Sequence, residues 1–233
     1  MNELTPAFLL HARDYRDTSL LIELFTPDAG RMSAIARGAR RMQRGSTQRA
    51  ILQPLQPLWI ECGGRGELKT LRTAEVRAVA IPLRGTSLYS AFYLNELLCR
   101  LLPRDDPHPQ LFSDYEITLE QLCGTVPLDI SLRRFELRLL EDLGYGFSLT
   151  HAGETGLPIN PEWNYCYDPQ RGLLPIITVN EKQRHFSGAD FLNFYRGEYT
   201  ESARRSLKIV CRLALQQHLG DKPLQSRSLI IKH

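Results

Sequence analysis

The fold class this sequence predicts is multi-domain α+β, with an N-terminal barrel of short strands, then an all-α region that carries a small irregular insertion with β-strands. Three observations predict it. Short apolar runs separated by turn residues fill the first 80 positions. After Pro82 the apolar spacing becomes helical. Between 145 and 187 the chain is rich in Gly, Pro and aromatic residues and keeps neither period. The predicted boundaries are therefore 1–80 for the barrel and 81–233 for the helical domain, with 145–187 as its insertion.

Each strand has a local reason. Ala7-Phe8-Leu9-Leu10-His11 is apolar and ends at the polar turn Arg13-Asp14-Tyr15-Arg16-Asp17. From Ser19 to Thr26, Leu20, Ile22 and Leu24 share one face, with Leu21, Glu23 and Phe25 on the other. Pro27-Asp28-Ala29-Gly30 is a turn signal leading into Arg31–Arg37. Leu58–Cys62 and Glu67–Arg72 read as two strands joined by Gly63-Gly64-Arg65-Gly66. Five short strands without a convincing amphipathic helix predict a small closed barrel of the OB type, a fold whose surface and loops commonly hold single-stranded nucleic acid.

The helices follow from their stripes. From Ser87 to Leu102 the apolar residues nearly encircle the helix, which predicts burial on several sides, and Pro103 ends it. Gln110 to Leu122 has Leu111, Tyr115, Leu119 and Leu122 on its inner face. The third helix, from Ile130 to Leu143, turns Leu132, Phe135, Leu139 and Leu143 inward and stops at Gly144. Short strands are expected at Trp163–Tyr167 and Leu173–Val179. Ser187 and Asp190 have the spacing of a capping box for the next helix. The last helix, from Ser202 to Leu219, places Leu207, Val210, Cys211 and Ala214 inside and Arg204, Lys208 and Arg212 on a basic outer ridge.

Charge is distributed unevenly. The chain has 29 basic and 26 acidic side chains, yet Ala29 to Ile60 contains no Asp or Glu and six arginines: Arg31, Arg37, Arg40, Arg41, Arg44 and Arg49. Residues 1–80 hold 12 Lys/Arg against 8 Asp/Glu, and the remainder holds 17 against 18. Guanidinium groups on a glycine-bearing loop suit a polyanion, because each phosphate contact releases counterions. A solvated cationic face is the other reading, and the charge run alone leaves both open. Arg65, Lys69 and Arg72 extend the basic surface, and Trp59 or Tyr15 could stack on bases or pack in the barrel.

Several chemistries are excluded. Gly63-Gly64-Arg65-Gly66 lacks the phosphate-loop spacing and precedes a strand rather than a helix, so it reads as a hairpin tip. The six histidines are dispersed, and His151 with Cys166 supplies two of the four ligands a structural zinc needs, so no metal or other cofactor is expected. No Gly-x-Ser-x-Gly elbow and no acidic cluster for a two-metal nuclease is present, and no catalytic residue is assigned. Five single cysteines favour reduced thiols. The N-terminus has no signal-peptide pattern and no run is long and apolar enough for a membrane, so a soluble cytoplasmic protein is expected. On the third helix Arg133, Leu137 and Leu140 share a face where an exposed arginine beside leucines could receive a peptide ending in a carboxylate. An ordinary helix contact has the same spacing.

Several runs resemble the bacterial RecO family of recombination mediators. They are Ala7-Phe8-Leu9-Leu10-His11, Thr18-Ser19-Leu20, Gly38-Ala39-Arg40, Gly63-Gly64-Arg65-Gly66 and Lys69-Thr70-Leu71-Arg72 in the first third. Later come Leu88-Tyr89-Ser90, Asn95-Glu96-Leu97-Leu98, Leu132–Leu137, Leu143-Gly144-Tyr145-Gly146 and Lys222–Arg227. The resemblance runs in order along nearly the whole chain.

It implies an OB domain followed by a helical domain. It further implies non-enzymatic binding of single- and double-stranded DNA, annealing of complementary strands, and partnership with RecR in the RecF pathway to help replace single-stranded DNA-binding protein (SSB) with RecA. A nucleoid-associated location goes with that work. Some members carry a four-cysteine zinc element in the region matching 150–175, where this chain has Cys166 alone. Members also dock the acidic, apolar C-terminal tail of SSB on the helical domain, which the resemblance places near Arg133. The rivals are an RNA-binding OB protein and a nuclease.

Overall fold

The computed structural model describes residues 4–40, 48–176 and 184–226. The chain forms two compact units, one built from the chain up to Thr125 with the segment from Pro223, the other Val126–Lys222.

In the first unit five strands close into a barrel: β1 (Thr5–Tyr15), β2 (Ser19–Thr26), β3 (Gly30–Ala36), β4 (Pro57–Gly63) and β5 (Leu68–Val76). Their order is β1-β2-β3-β5-β4, with β4 returning to β1. Only β3 and β5 run parallel. This is the OB arrangement that the strand count predicts. A one-turn helix, α1 (Gln48–Ile51), lies between β3 and β4 in the chain and has no amphipathic signature in sequence. Inside the barrel Leu9, Ile22, Leu24 and Leu58 have no exposed surface, which is worth about 1.5–3 kcal/mol for each side chain.

Phe8 and Phe25, paired across β1 and β2, are buried outside the barrel. They are covered by α3 (Pro109–Cys123), whose Phe112 and Tyr115 lie 5.1–6.1 Å from them, ring to ring. Helix α2 (Thr86–Leu101) adds a polar tie. A register shift between Leu9 and His11 takes Leu10 out of the strand ladder. Its carbonyl accepts a 2.8 Å bond from Asn95 Nδ2, and Asn95 Oδ1 accepts one of 2.6 Å from the buried Tyr115 hydroxyl. Burial raises the Tyr115 phenol well above its ordinary value, so it stays a neutral donor.

The neighbouring residue, Glu96, holds the returning segment. Its carboxylate accepts the backbone N–H groups of Gln225 and Ser226, each at 2.9 Å, and the Ser226 hydroxyl at 2.6 Å. Leu224 is buried beside it. Just past the C-terminal end of α2 the chain runs against β3, with Arg31 bridged to Arg104. Gly30 has a positive φ of 61°, and a Cβ there would lie 1.7 Å from the Asp106 carbonyl oxygen, so only glycine fits.

The second unit contains α4 (Leu128–Asp142), α5 (Gly188–Arg196), α6 (Glu201–Leu219) and a three-stranded sheet of order β7-β6-β8. Its strands are β6 (Asn164–Asp168), β7 (Gly172–Pro175) and β8 (Phe186–Ser187). The strand expected to reach Val179 stops at Pro175, and 177–179 lie outside the described residues. Tyr165, Leu173, Phe191, Leu207, Val210 and Cys211 form the core. Ser187 caps α5 by accepting from Ala189 N at 3.2 Å. Asp190 departs from the capping-box expectation: it accepts from Ser202 Oγ at 3.0 Å and Ser206 Oγ at 2.5 Å, and so joins α5 to α6. Arg204 also leaves the solvated ridge, because its guanidinium grips both oxygens of Asp129 at 2.7 Å and holds that carboxyl below its ordinary range.

Two outcomes test the first unit. Asn95→Leu should cost roughly 2–6 kcal/mol in urea unfolding, since it removes the partner of two buried polar groups at about 1–3 kcal/mol each. An unchanged midpoint would show that Leu10 and Tyr115 find other partners. Glu96→Ala should accelerate amide exchange at Gln225 and Ser226 about ten- to hundredfold while leaving β2 and β3 protected, because a lost bond to a charged group is worth one to two decades. Equal exchange in both proteins would refute the clasp.

Candidate nucleic-acid interface

The basic loop leaves β3 beside the turn that joins β1 to β2, because Leu20 at the start of β2 pairs with Ala36 at the end of β3. Arg40 fastens the two. Its backbone N–H donates to the Thr18 carbonyl at 2.9 Å, its guanidinium donates to the Arg16 carbonyl at 3.2 Å, and it pairs with Asp14 at 3.0 Å. Ala39, buried before it, anchors the loop to the core. Arg16 has a φ of 51°, a left-handed conformation that side chains other than glycine seldom adopt. Its guanidinium lies over the Tyr15 ring, 5.3 Å from the centroid.

This end of the barrel presents Arg13, Arg16 and Arg37 as exposed cations, and among the described residues none of the three is in an ion pair. Sequence reasoning had Arg37 but missed Arg13 and Arg16, which stand among Asp14 and Asp17 in a turn of balanced charge. The signal that would have found them is the register of β2 on β3, which carries that turn to the basic loop. Arg41 and Arg44, one and four positions after Arg40, lie outside the described residues.

The other expected contacts are spread around the barrel. Arg31 is the second residue of β3, ~20 Å from Arg37 at about 3.3 Å per residue. It donates to the Leu102 carbonyl at 3.0 Å and pairs with Glu23 at 3.5 Å, so it serves the fold. Arg49 is exposed on α1 and Arg65 on the β4–β5 turn, while Lys69 is half-buried on β5. Arg72 pairs with Glu61 at 3.1 Å and lies against Gly63, where a Cβ would come 2.4 Å from its Nε. Trp59 is 37% exposed on β4, between Pro6 and Glu75 on the flanking strands. Among the described residues no helix is long and apolar enough to cross a membrane.

A family model described as the recombination protein O N terminal matches residues 1–79, and one described as its C terminal matches 83–228. This chain belongs to the RecO family. A protein of Nitrosospira multiformis named DNA repair protein RecO is 43% identical over 98% of this chain and 94% of its own length. Proteins of the same name from Actinobacillus succinogenes and Escherichia coli O1:K1 are each 40% identical, over 95% and 96% of this chain and 92% and 91% of their own lengths.

The zinc element of some RecO proteins does not fit the residues present. In the matching stretch Cys166 Sγ lies 3.8 Å from the Leu174 carbonyl, and His151 Nδ1 bonds Thr150 at 2.9 Å. Among the described residues no three His, Cys, Asp or Glu side chains gather as a metal would require.

The spacing-based expectation of an exposed Arg133 on α4 is corrected. Arg133 is 8% exposed and Leu140 1%, and Leu137 packs against the core of the second unit. The Arg133 guanidinium bonds Glu136, itself fully buried, at 2.5 Å. The pair faces Cys211 of α6, whose thiol is raised well above its ordinary value by burial and the Glu136 carboxylate. Spacing could not reveal this, because it marks a shared face but not what packs against it.

Arg133→Ala should therefore destabilise by about 3–5 kcal/mol, since it leaves a buried carboxylate without its cation. Arg133→Met with Glu136→Leu should restore most of the loss. Unfolding midpoints in urea for the single and double variants check this, and a single variant as stable as the parent would show that the pair is not a structural unit.

Proposed function

We propose that this chain is a DNA-repair mediator that works by binding rather than by catalysis. One observation carries the reading: an OB barrel, in a RecO chain, gathers Arg13, Arg16 and Arg37 beside Tyr15 at one end, where the acid-free loop departs. Cations that are not engaged by carboxylates can release phosphate counterions, and an aromatic ring can stack on an unpaired base. Arg41, Arg44, Arg49 and Arg65 add to the positive charge of the N-terminal third of the chain.

The barrel binds single- and double-stranded DNA through its backbone. Neutralised phosphates remove the repulsion between complementary strands, which promotes annealing. RecR is the assigned protein partner, the C-terminal tail of SSB is assigned to the helical half, and the outcome is RecA loaded on strands that SSB had covered. The work is cytoplasmic and nucleoid-associated. A higher affinity for RNA than for DNA of the same sequence would favour the RNA-binding alternative, and metal-dependent shortening of a labelled strand would favour a nuclease.

The variant Arg13→Ala, Arg16→Ala, Arg37→Ala should bind a single-stranded oligonucleotide more weakly, with its log–log salt slope reduced by about 2, from roughly 0.7 per phosphate contact. Its melting temperature should stay within a few degrees, as expected for exposed positions. Fluorescence anisotropy across a salt series checks it, and an unchanged slope would place the DNA elsewhere.

A further inference from the structure

The basic ridge of α6 is unequal along its length. Arg204 is held by Asp129, and Arg205 pairs with Glu201 at 2.5 Å. Lys208 and Arg212 are exposed and, among the described residues, take part in no ion pair. They stand one turn apart, ~6 Å along the axis, and the same spacing leads to the exposed Gln216. At Gln216 the ridge meets a cavity of about 460 Å³, lined by Tyr167, Pro169, Leu213, Gln216 and Gln217. That volume is in the range of small-ligand clefts.

We propose that this cleft is a second nucleic-acid contact: Lys208 and Arg212 hold phosphates of a single strand, and the cavity takes one unstacked base against Tyr167. The proposal rests on the DNA-binding reading above and gives that reading a second surface.

The chemistry of the walls favours a base over other ligands. Tyr167 is held by Phe147, edge to face at 5.1 Å, which fixes its ring as a platform. The two glutamine amides each carry donors and an acceptor, so they can meet the edge of any base without selecting one. The nearest carboxylate in the chain, Asp168, is neutralised by Arg171 at 3.2 Å. Among the described residues no carboxylate lines the cavity itself. Directly after Gln217, His218 stacks on the half-exposed Tyr145 at 3.7 Å and 18°, so aromatic surface continues past the cavity.

The test uses the full-length chain with a fluorescent oligothymidine and with an abasic strand of equal length. Lys208→Ala with Arg212→Ala should reduce the salt slope by about 1.4, from 0.7 per contact, beside an unchanged barrel. Tyr167→Leu should weaken oligothymidine about five- to hundredfold and the abasic strand much less, since a base stack is what it removes. Gln217→Glu, at an exposed position, should weaken both strands and leave the melting temperature unchanged, which separates loss of binding from loss of fold.

If the α6 variants match the parent at every salt while the Arg13–Arg16–Arg37 variant loses affinity, this second contact is overturned and the barrel reading stands. If Tyr167→Leu weakens both strands equally, no base enters the cavity and the proposal fails. If the barrel variant keeps full affinity and slope while Lys208 and Arg212 matter, the second contact stands and the barrel reading falls.

Discussion

The Asn95 amide is the interaction on which the first unit depends. A strand that bulges inside an apolar wall exposes a carbonyl that neither water nor the ladder can satisfy, and such a group is costly. At Leu10 the cost is met by one side chain from α2, which is oriented in turn by a phenol from α3. Two helices and a strand thus share one polar chain inside an aromatic shell of Phe8, Phe25, Phe112 and Tyr115. The geometry fixes α2, and α2 fixes what its next residue can reach: Glu96 is directed at the returning segment because Asn95 is directed at the barrel.

The arginines divide by task, and their neighbours decide which task each has. Arg31, Arg40, Arg133 and Arg204 are engaged by carboxylates or carbonyls and act as fasteners. Arg13, Arg16 and Arg37 carry the same group, but exposed. Net charge cannot distinguish the two sets, because a fastened guanidinium and a free one contribute equally to it. The surface potential and its salt response follow from the second set.

Most of the architecture was legible in sequence. The alternation of Leu20, Ile22 and Leu24 marked β2, Gly144 and Pro103 marked helix ends, and Ser187 marked a start. These are local signals, with geometry set within a few residues. The site was less legible because it is made by register. Nothing near Arg16 says that it will lie beside Arg40, and only the pairing of Leu20 with Ala36 does. The burial of Arg133 was hidden for the same reason, since α6 supplies the lid. α1 was missed because four residues carry too little periodicity to register. A capping-box spacing was present at Asp190, but two serines from α6 offered its carboxylate better partners.

The clasp at Glu96 also sets a timetable. Its partners lie 129 and 130 positions further along the chain. At about 5–20 residues per second, a ribosome takes roughly 7–26 s to travel that distance. During that interval the barrel strands, α2 and α3 are already synthesised, while the Glu96 carboxylate lacks these partners. The first unit to be synthesised is therefore completed only after the whole second unit, Val126–Lys222, has been made. A chain cut short after the second unit would lack the segment that Glu96 holds and would leave α2 without that clasp.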